Sequence, residues 1–148
     1  MKKILITGGS GFIGTNLIEH LLKKTDAELL TFDINEPKID SHNRFWKRVD
    51  IREYEELREK IVEYKPDIVI HLAARTDLRG LTLKDYDANM TGVSNLLKAI
   101  DEAGTVQKAV FASSMYVCEP GYMPKDFEDY APHTLYGESK VETERRIK

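Results

Sequence analysis

A chain of 148 residues, 41% hydrophobic and 32% charged, carries enough apolar side chains for one packed core and too few for two. Its net charge of -3 gives no electrostatic footprint for DNA or RNA, and its single cysteine, Cys118, closes no internal disulfide. No Cys/His cluster has metal-ligand spacing, no apolar run approaches the roughly 20 residues of a bilayer span, and the run Ile4 to Thr7 is shorter than the roughly 7–15 residues of a signal peptide's apolar region. A single domain over residues 1–148, without metal or membrane segment and located in the cytoplasm, is the expectation.

Lys2 to Thr7 holds Ile4, Leu5 and Ile6 in a continuous apolar run followed by glycines, the pattern of a buried parallel strand. From Phe12 to Lys24, the apolar residues Phe12, Ile13, Leu17, Ile18, Leu21 and Leu22 form a helical stripe with Glu19, His20, Lys23 and Lys24 opposite. Strands are predicted at Glu28 to Asp33 and Phe45 to Val49, then a helix from Tyr54 to Val62 carrying Leu57 and Ile61. A fourth strand spans Asp67 to Leu72, a helix Tyr86 to Asp101, a fifth strand Lys108 to Ser113, and a last helix starts near Leu135. Between them Glu119 to Pro132, with three prolines and a glycine, reads as a loop. Alternating strands and crossover helices imply an α/β fold with a doubly wound parallel sheet.

Gly8, Gly11 and Gly14 stand three apart between the first strand and its helix. Such a turn brings backbone N–H groups and the positive end of the helix dipole against a pyrophosphate. A glycine triplet alone is often only a turn. Here it opens a βαβ unit, and Asp33 ends the next strand about 20 residues on, where a carboxylate accepts ribose hydroxyls and repels a 2′-phosphate. NAD is therefore favoured over NADP; the alternative for Asp33 is a solvated carboxylate at a strand end.

Further segments fall into the same order: Val49-Asp50-Ile51, His71-Leu72-Ala73-Ala74, Asn89 to Asn95, Phe111 to Ser114, and Tyr136-Gly-Glu-Ser-Lys140. With the glycine turn and Asp33 they resemble the extended short-chain dehydrogenase/reductases, specifically the NAD-dependent epimerase/dehydratase family acting on nucleotide-sugars. Seven tyrosines and fourteen lysines make one Tyr/Lys pair at that spacing ordinary, so the order of the motifs carries the resemblance. Four residues apart on a helix, Tyr136 and Lys140 share a face, so that an ammonium lies near a phenol and favours its phenolate. The alternative is an exposed surface pair.

The resemblance implies a Rossmann-type sheet of strand order 3-2-1-4-5 and a Ser114, Tyr136 and Lys140 catalytic set. Tyr136 would exchange a proton with a sugar hydroxyl, Ser114 would hydrogen-bond that oxygen, and Lys140 would hold the nicotinamide ribose. Gly8, Gly11, Phe12, Ile13, Gly14 and Asp33 would hold NAD, with Asp50 and Ile51 at adenine and Leu72, Ala73 and Ala74 along the channel. Asn89 would position the catalytic region. Alternatives stay open for several: Asp50 as a helix cap, the alanines as close-packing residues, Asn89 as a backbone partner, and His71 as a packed strand-end histidine.

Two departures qualify the resemblance. Met115 and Tyr116 stand where sugar dehydratases of the family carry acidic residues, which disfavours dehydration and leaves an epimerase or a reductase. Full-length relatives also continue through further strands and a C-terminal substrate region, which this chain is expected to lack. The fifth strand would then be a sheet edge, and the 148 residues alone would bind NAD weakly, with little or no turnover of a nucleotide-sugar. A non-catalytic NAD-binding module is the alternative from another class, and a homodimer through the helices near 86–101 and 135–148 is implied by the resemblance. A Cys118 nucleophile paired with His133 is a further possibility that nothing in the spacing supports.

Overall fold

The computed structural model describes residues 1–148. Five parallel strands, β1 (Lys3–Thr7), β2 (Glu28–Asp33), β3 (Trp46–Arg48), β4 (Ile68–His71) and β5 (Lys108–Phe111), form one sheet of order β3-β2-β1-β4-β5. The helices are α1 (Phe12–Lys24), α2 (Tyr54–Tyr64), α3 (Asp87–Ala103) and α4 (Leu135–Ile147). The order expected from the sequence is the order observed.

β1 is the centre of the sheet, with Leu5 opposite Leu30 of β2 and Val69 of β4. Because successive strand residues face opposite sides, its apolar run feeds two cores. Leu5 joins Phe32, Leu57, Ile61, Val69 and Leu96 under α2 and α3. Ile4 and Ile6 join Ile18 and Leu29 under α1. Each fully buried aliphatic side chain here contributes about 1.5–3 kcal/mol of hydrophobic stabilisation, which explains why a strand this short holds its place.

From β1 the chain first winds outward through β2 to β3, then crosses back to place β4 on the other side of β1. The reversal opens a crevice beyond the carboxyl ends of β1 and β4, the position where doubly wound sheets bind ligands.

Three expectations are corrected. Phe12 and Ile13 do not share the buried stripe of α1: they are 78% and 62% exposed, because the first turn of the helix projects past the sheet over that crevice. β3 is shorter than Phe45 to Val49, although Thr31 N still donates to Phe45 O and Val49 N to Asp33 O at its two ends. β5 stops at Phe111, and Lys108, Ala109 and Val110 are exposed, as befits a strand bonded on one side only.

Candidate functional site

The crevice is a cavity of about 920 Å³, in the size range of small-molecule and cofactor sites. Its floor is the glycine turn. Gly8 has φ +77°, the left-handed region, and a side chain there would put Cβ 2.6 Å from Ala73 N. A Cβ on Gly14 would stand 2.3 Å from Gly8 O, so only a glycine lets α1 start this close to β1. Gly11 is the N-cap of α1, with no side chain capping it and no acidic residue in the first turn. The amides of that turn lack intrahelical acceptors, and an anion is their natural partner. Phe12 and Ile13 complete this wall.

Asp33 lies at the rim, held by two backbone donors: Ser10 N to Oδ2 at 3.0 Å and Asn35 N to Oδ1 at 2.9 Å. Ser10 Oγ donates to Asn35 O at 2.8 Å and closes the same corner. Asp50 and Ile51 line the cavity after β3. The Arg52 guanidinium grips the Asp50 carboxylate, with Nη2 to Oδ2 at 2.6 Å, and holds that carboxyl below the usual range. Leu72, Ala73 and Ala74 follow β4 along the wall.

At the far end Tyr136 and Lys140, one turn apart on α4, both line the cavity and both are buried. Thr134 starts their helix, its Oγ1 accepting Gly137 N at 3.0 Å. Lys140 Nζ donates to Ala112 O at 2.7 Å. Burial pushes its ammonium down from the ordinary lysine range, with the Glu144 carboxylate opposing. His71 is also buried on the cavity wall; burial first and the Lys140 charge second push it down to about 3, so it is a neutral imidazole. That matches a packed strand-end histidine.

Two residues of the expected set stand outside the cavity lining. Ser114 follows β5, but its neighbour Ser113 is the serine that lines the cavity; Ser114 Oγ accepts Tyr116 N at 3.1 Å. Asn89 is buried at the start of α3, where its Oδ1 accepts Arg75 N at 2.8 Å and its Nδ2 donates to Arg75 O at 3.0 Å and Ser139 Oγ at 2.9 Å. It fixes the segment after Ala74 to α4 and touches no cavity space. Cys118 Sγ turns to Asp129 O and the His133 ring stacks on Tyr116, so each has another neighbour.

Sequence reasoning missed Ser10, Arg75 and Lys38, which also line the cavity. Ser10 sits inside the glycine turn and Arg75 directly follows Ala74, so both were within reach of the same motifs. Lys38 lies in the irregular segment between β2 and β3, where the sequence offers no periodicity to place it.

The arrangement fits a dinucleotide. A side-chain-free turn with open amides suits a pyrophosphate, a fixed carboxylate suits a ribose diol, and a small-residue wall leads to a phenol and an amine. Comparisons with known proteins agree. The sequence profile described as "NAD dependent epimerase/dehydratase family" matches residues 4–148. A UDP-glucose 4-epimerase from Neisseria meningitidis serogroup C is 34% identical over 98% of this chain and 47% of its own length. A 3-beta-hydroxysteroid dehydrogenase from Mycolicibacterium neoaurum is 31% identical over 99% of this chain and 43% of its own. The crystal structure of the Thermus thermophilus UDP-glucose 4-epimerase in complex with NAD superposes with a TM-score of 0.80 at 29% identity, covering 98% of this chain and 49% of that one. The chain thus spans about half the length of the relatives it matches.

Proposed function

We propose, since the chain belongs to the NAD dependent epimerase/dehydratase family, that it supplies the cofactor-binding half of an NAD-dependent nucleotide-sugar epimerase. The observation that carries this reading is one cavity lined by the glycine turn, Asp33, Tyr136 and Lys140 together. The epimerase relative supports a nucleotide-sugar as the substrate class.

The glycine turn and the first-turn amides of α1 would hold the pyrophosphate, Asp33 the adenosine ribose, Asp50 and Ile51 the adenine, and Ala73 and Ala74 the nicotinamide side of the channel. When bound, NAD would supply a reversible hydride acceptor. Tyr136 Oη takes the proton of the sugar hydroxyl whose carbon is oxidised and returns it on reduction. Ser114 Oγ lies outside the cofactor cavity and accepts the Tyr116 amide, so its own proton is free for a sugar oxygen held beyond that cavity. Lys140 uses one N–H on Ala112 O and keeps two for the nicotinamide ribose, beside Tyr136. Asn89 acts at one remove, holding the Arg75 segment against α4. Met115 has no proton to exchange and Tyr116 is no carboxylate, which favours an epimerase over a dehydratase. Pairing of two chains through α3 and α4, and a cytoplasmic location, belong to the same reading by family resemblance.

Calorimetric titration of the folded 148-residue protein with NAD tests the reading: saturable binding is expected, with no turnover of UDP-glucose by these residues alone. Absence of NAD binding by folded protein would overturn it, and vigorous turnover would overturn the assignment as half of a site. The steroid dehydrogenase relative favours a second reading, an NAD-dependent reductase of the same superfamily. Net NADH formed in proportion to an oxidised alcohol, in place of none accumulating, would select it.

A further inference from the structure

Two other tyrosine rings pack against Tyr136. The Tyr116 ring meets it edge-on, centroids 5.8 Å apart and planes at 68°. The Tyr86 ring lies 6.2 Å away, tilted by 50°. Both distances are in the range in which aromatic rings attract through their quadrupoles.

Each flanking ring is fixed from behind. Tyr86 is 1% exposed; its hydroxyl donates to Asp77 O at 2.8 Å and accepts Gly80 N at 3.2 Å, and the Arg75 guanidinium lies 5.2 Å over its ring. A Cβ at position 80 would stand 2.3 Å from that ring, so the glycine leaves the space the ring fills. Tyr116 is backed by His133, stacked at 5.7 Å with planes 15° apart. Its carbonyl oxygen occupies the space of a side chain at position 137, 2.2 Å from an ideal Cβ, so Gly137 lets the first turn of α4 seat against Tyr116. The row Arg75, Tyr86, Tyr136, Tyr116, His133 thus joins the segment after β4, the start of α3, α4 and the segment after β5.

We propose that Tyr86 and Tyr116 are positioning residues that clamp the Tyr136 ring through two separate ring contacts and hold it at the cavity wall, an inference that rests on Tyr136 being the proton-exchanging phenol. The row comes from four separate stretches of chain, and so makes the placement of one side chain depend on the segments that follow β4 and β5. It also gives Tyr116 a role in place of the acidic group that a dehydratase would need there.

The test labels tyrosine rings with carbon-13 in the 148-residue protein, identifies Tyr136 by the signal lost in Tyr136→Phe, and measures its ring-flip rate by NMR with and without NAD. Tyr116→Ala is expected to raise the flip rate roughly tenfold, the scale of one lost aromatic pair, while Tyr116→Phe keeps the wild-type rate. Tyr116→Leu fills the space without a ring, so it covers the case in which the alanine variant does not fold, and it too should flip faster. Equal flip rates in wild type and in the folded Leu or Ala variant would overturn the clamp. A wild-type Tyr136 signal that does not move on saturation with NAD would instead overturn the role given to Tyr136, and the flip rates would still decide the clamp.

Discussion

Thr7 Oγ1 and His71 Nδ1 lie 2.6 Å apart and join the ends of β1 and β4 beneath the cavity. Because burial and the nearby Lys140 charge push His71 down to about 3, the folded protein keeps it neutral where an unfolded chain would protonate it near 6.5. Between those two values the unfolded state binds more protons, so stability is lost as the pH falls through that window. Urea unfolding midpoints should fall between about pH 6.5 and 3, and His71→Leu, although less stable at neutral pH, should flatten the slope. The same slope in both proteins would remove His71 as its source.

Asp33 is held by the amides of Ser10 and Asn35, so its carboxylate is already oriented before a ribose arrives. Asp33→Ala removes the acceptor for two hydroxyls and the negative charge that repels a 2′-phosphate. NAD affinity should weaken by about 1.5–3 kcal/mol, roughly tenfold to a hundredfold, and the preference over NADP should shrink. Calorimetric titration with both dinucleotides checks this; an unchanged ratio would assign Asp33 a purely structural place at the end of β2.

Lys140 is a buried amine. Burying an ammonium costs several kcal/mol, whereas its hydrogen bond to Ala112 O contributes about 1.5–3 kcal/mol. Lys140→Met keeps the length and packing without the charge, so the urea midpoint is expected to stay level or rise while NAD affinity falls. A fall in both would mean that the amine is chiefly a structural tie between α4 and β5.

The strands, the glycine turn and Asp33 were legible because each is written in a local pattern: an apolar run, a glycine spacing, an acidic residue at a strand end; the order of the strands came from the family resemblance. What the sequence hid is where an element stops being packed. Helical periodicity put Phe12 and Ile13 on the core face, and only the position of the α1 start beyond the sheet exposes them. The exposure of Ala109 and Val110, by contrast, follows from the edge position that the resemblance already implied for the fifth strand. The Tyr86 and Tyr116 contacts to Tyr136 are 50 and 20 residues long in sequence, and the Ser113 and Asn89 positions depend on how two loops settle. Long-range contacts of this kind have no periodic signature.

One more long-range contact governs the segment expected to be a loop. The Glu144 carboxylate on α4 accepts Ser113 Oγ from the end of β5, and its other oxygen accepts Tyr130 OH at 2.7 Å. Lys148 Nζ donates in turn to Tyr130 OH at 2.9 Å. The segment folds back on itself just outside this tie, with Glu119 N donating to Ala131 O at 2.7 Å and Ala131 N to Val117 O at 3.0 Å. If Glu144 holds the fold-back down, Glu144→Ala should speed hydrogen exchange at the Glu119 and Ala131 amides by roughly fivefold to thirtyfold, the equivalent of about 1–2 kcal/mol of lost hydrogen bonding. Glu144→Gln keeps an acceptor and should fall between. The amides of Leu5 and Ile6 in β1 should exchange as before, which separates a local release from global unfolding. Unchanged rates at Glu119 and Ala131 would show that the two-residue bridge, and not the carboxylate, fixes this segment.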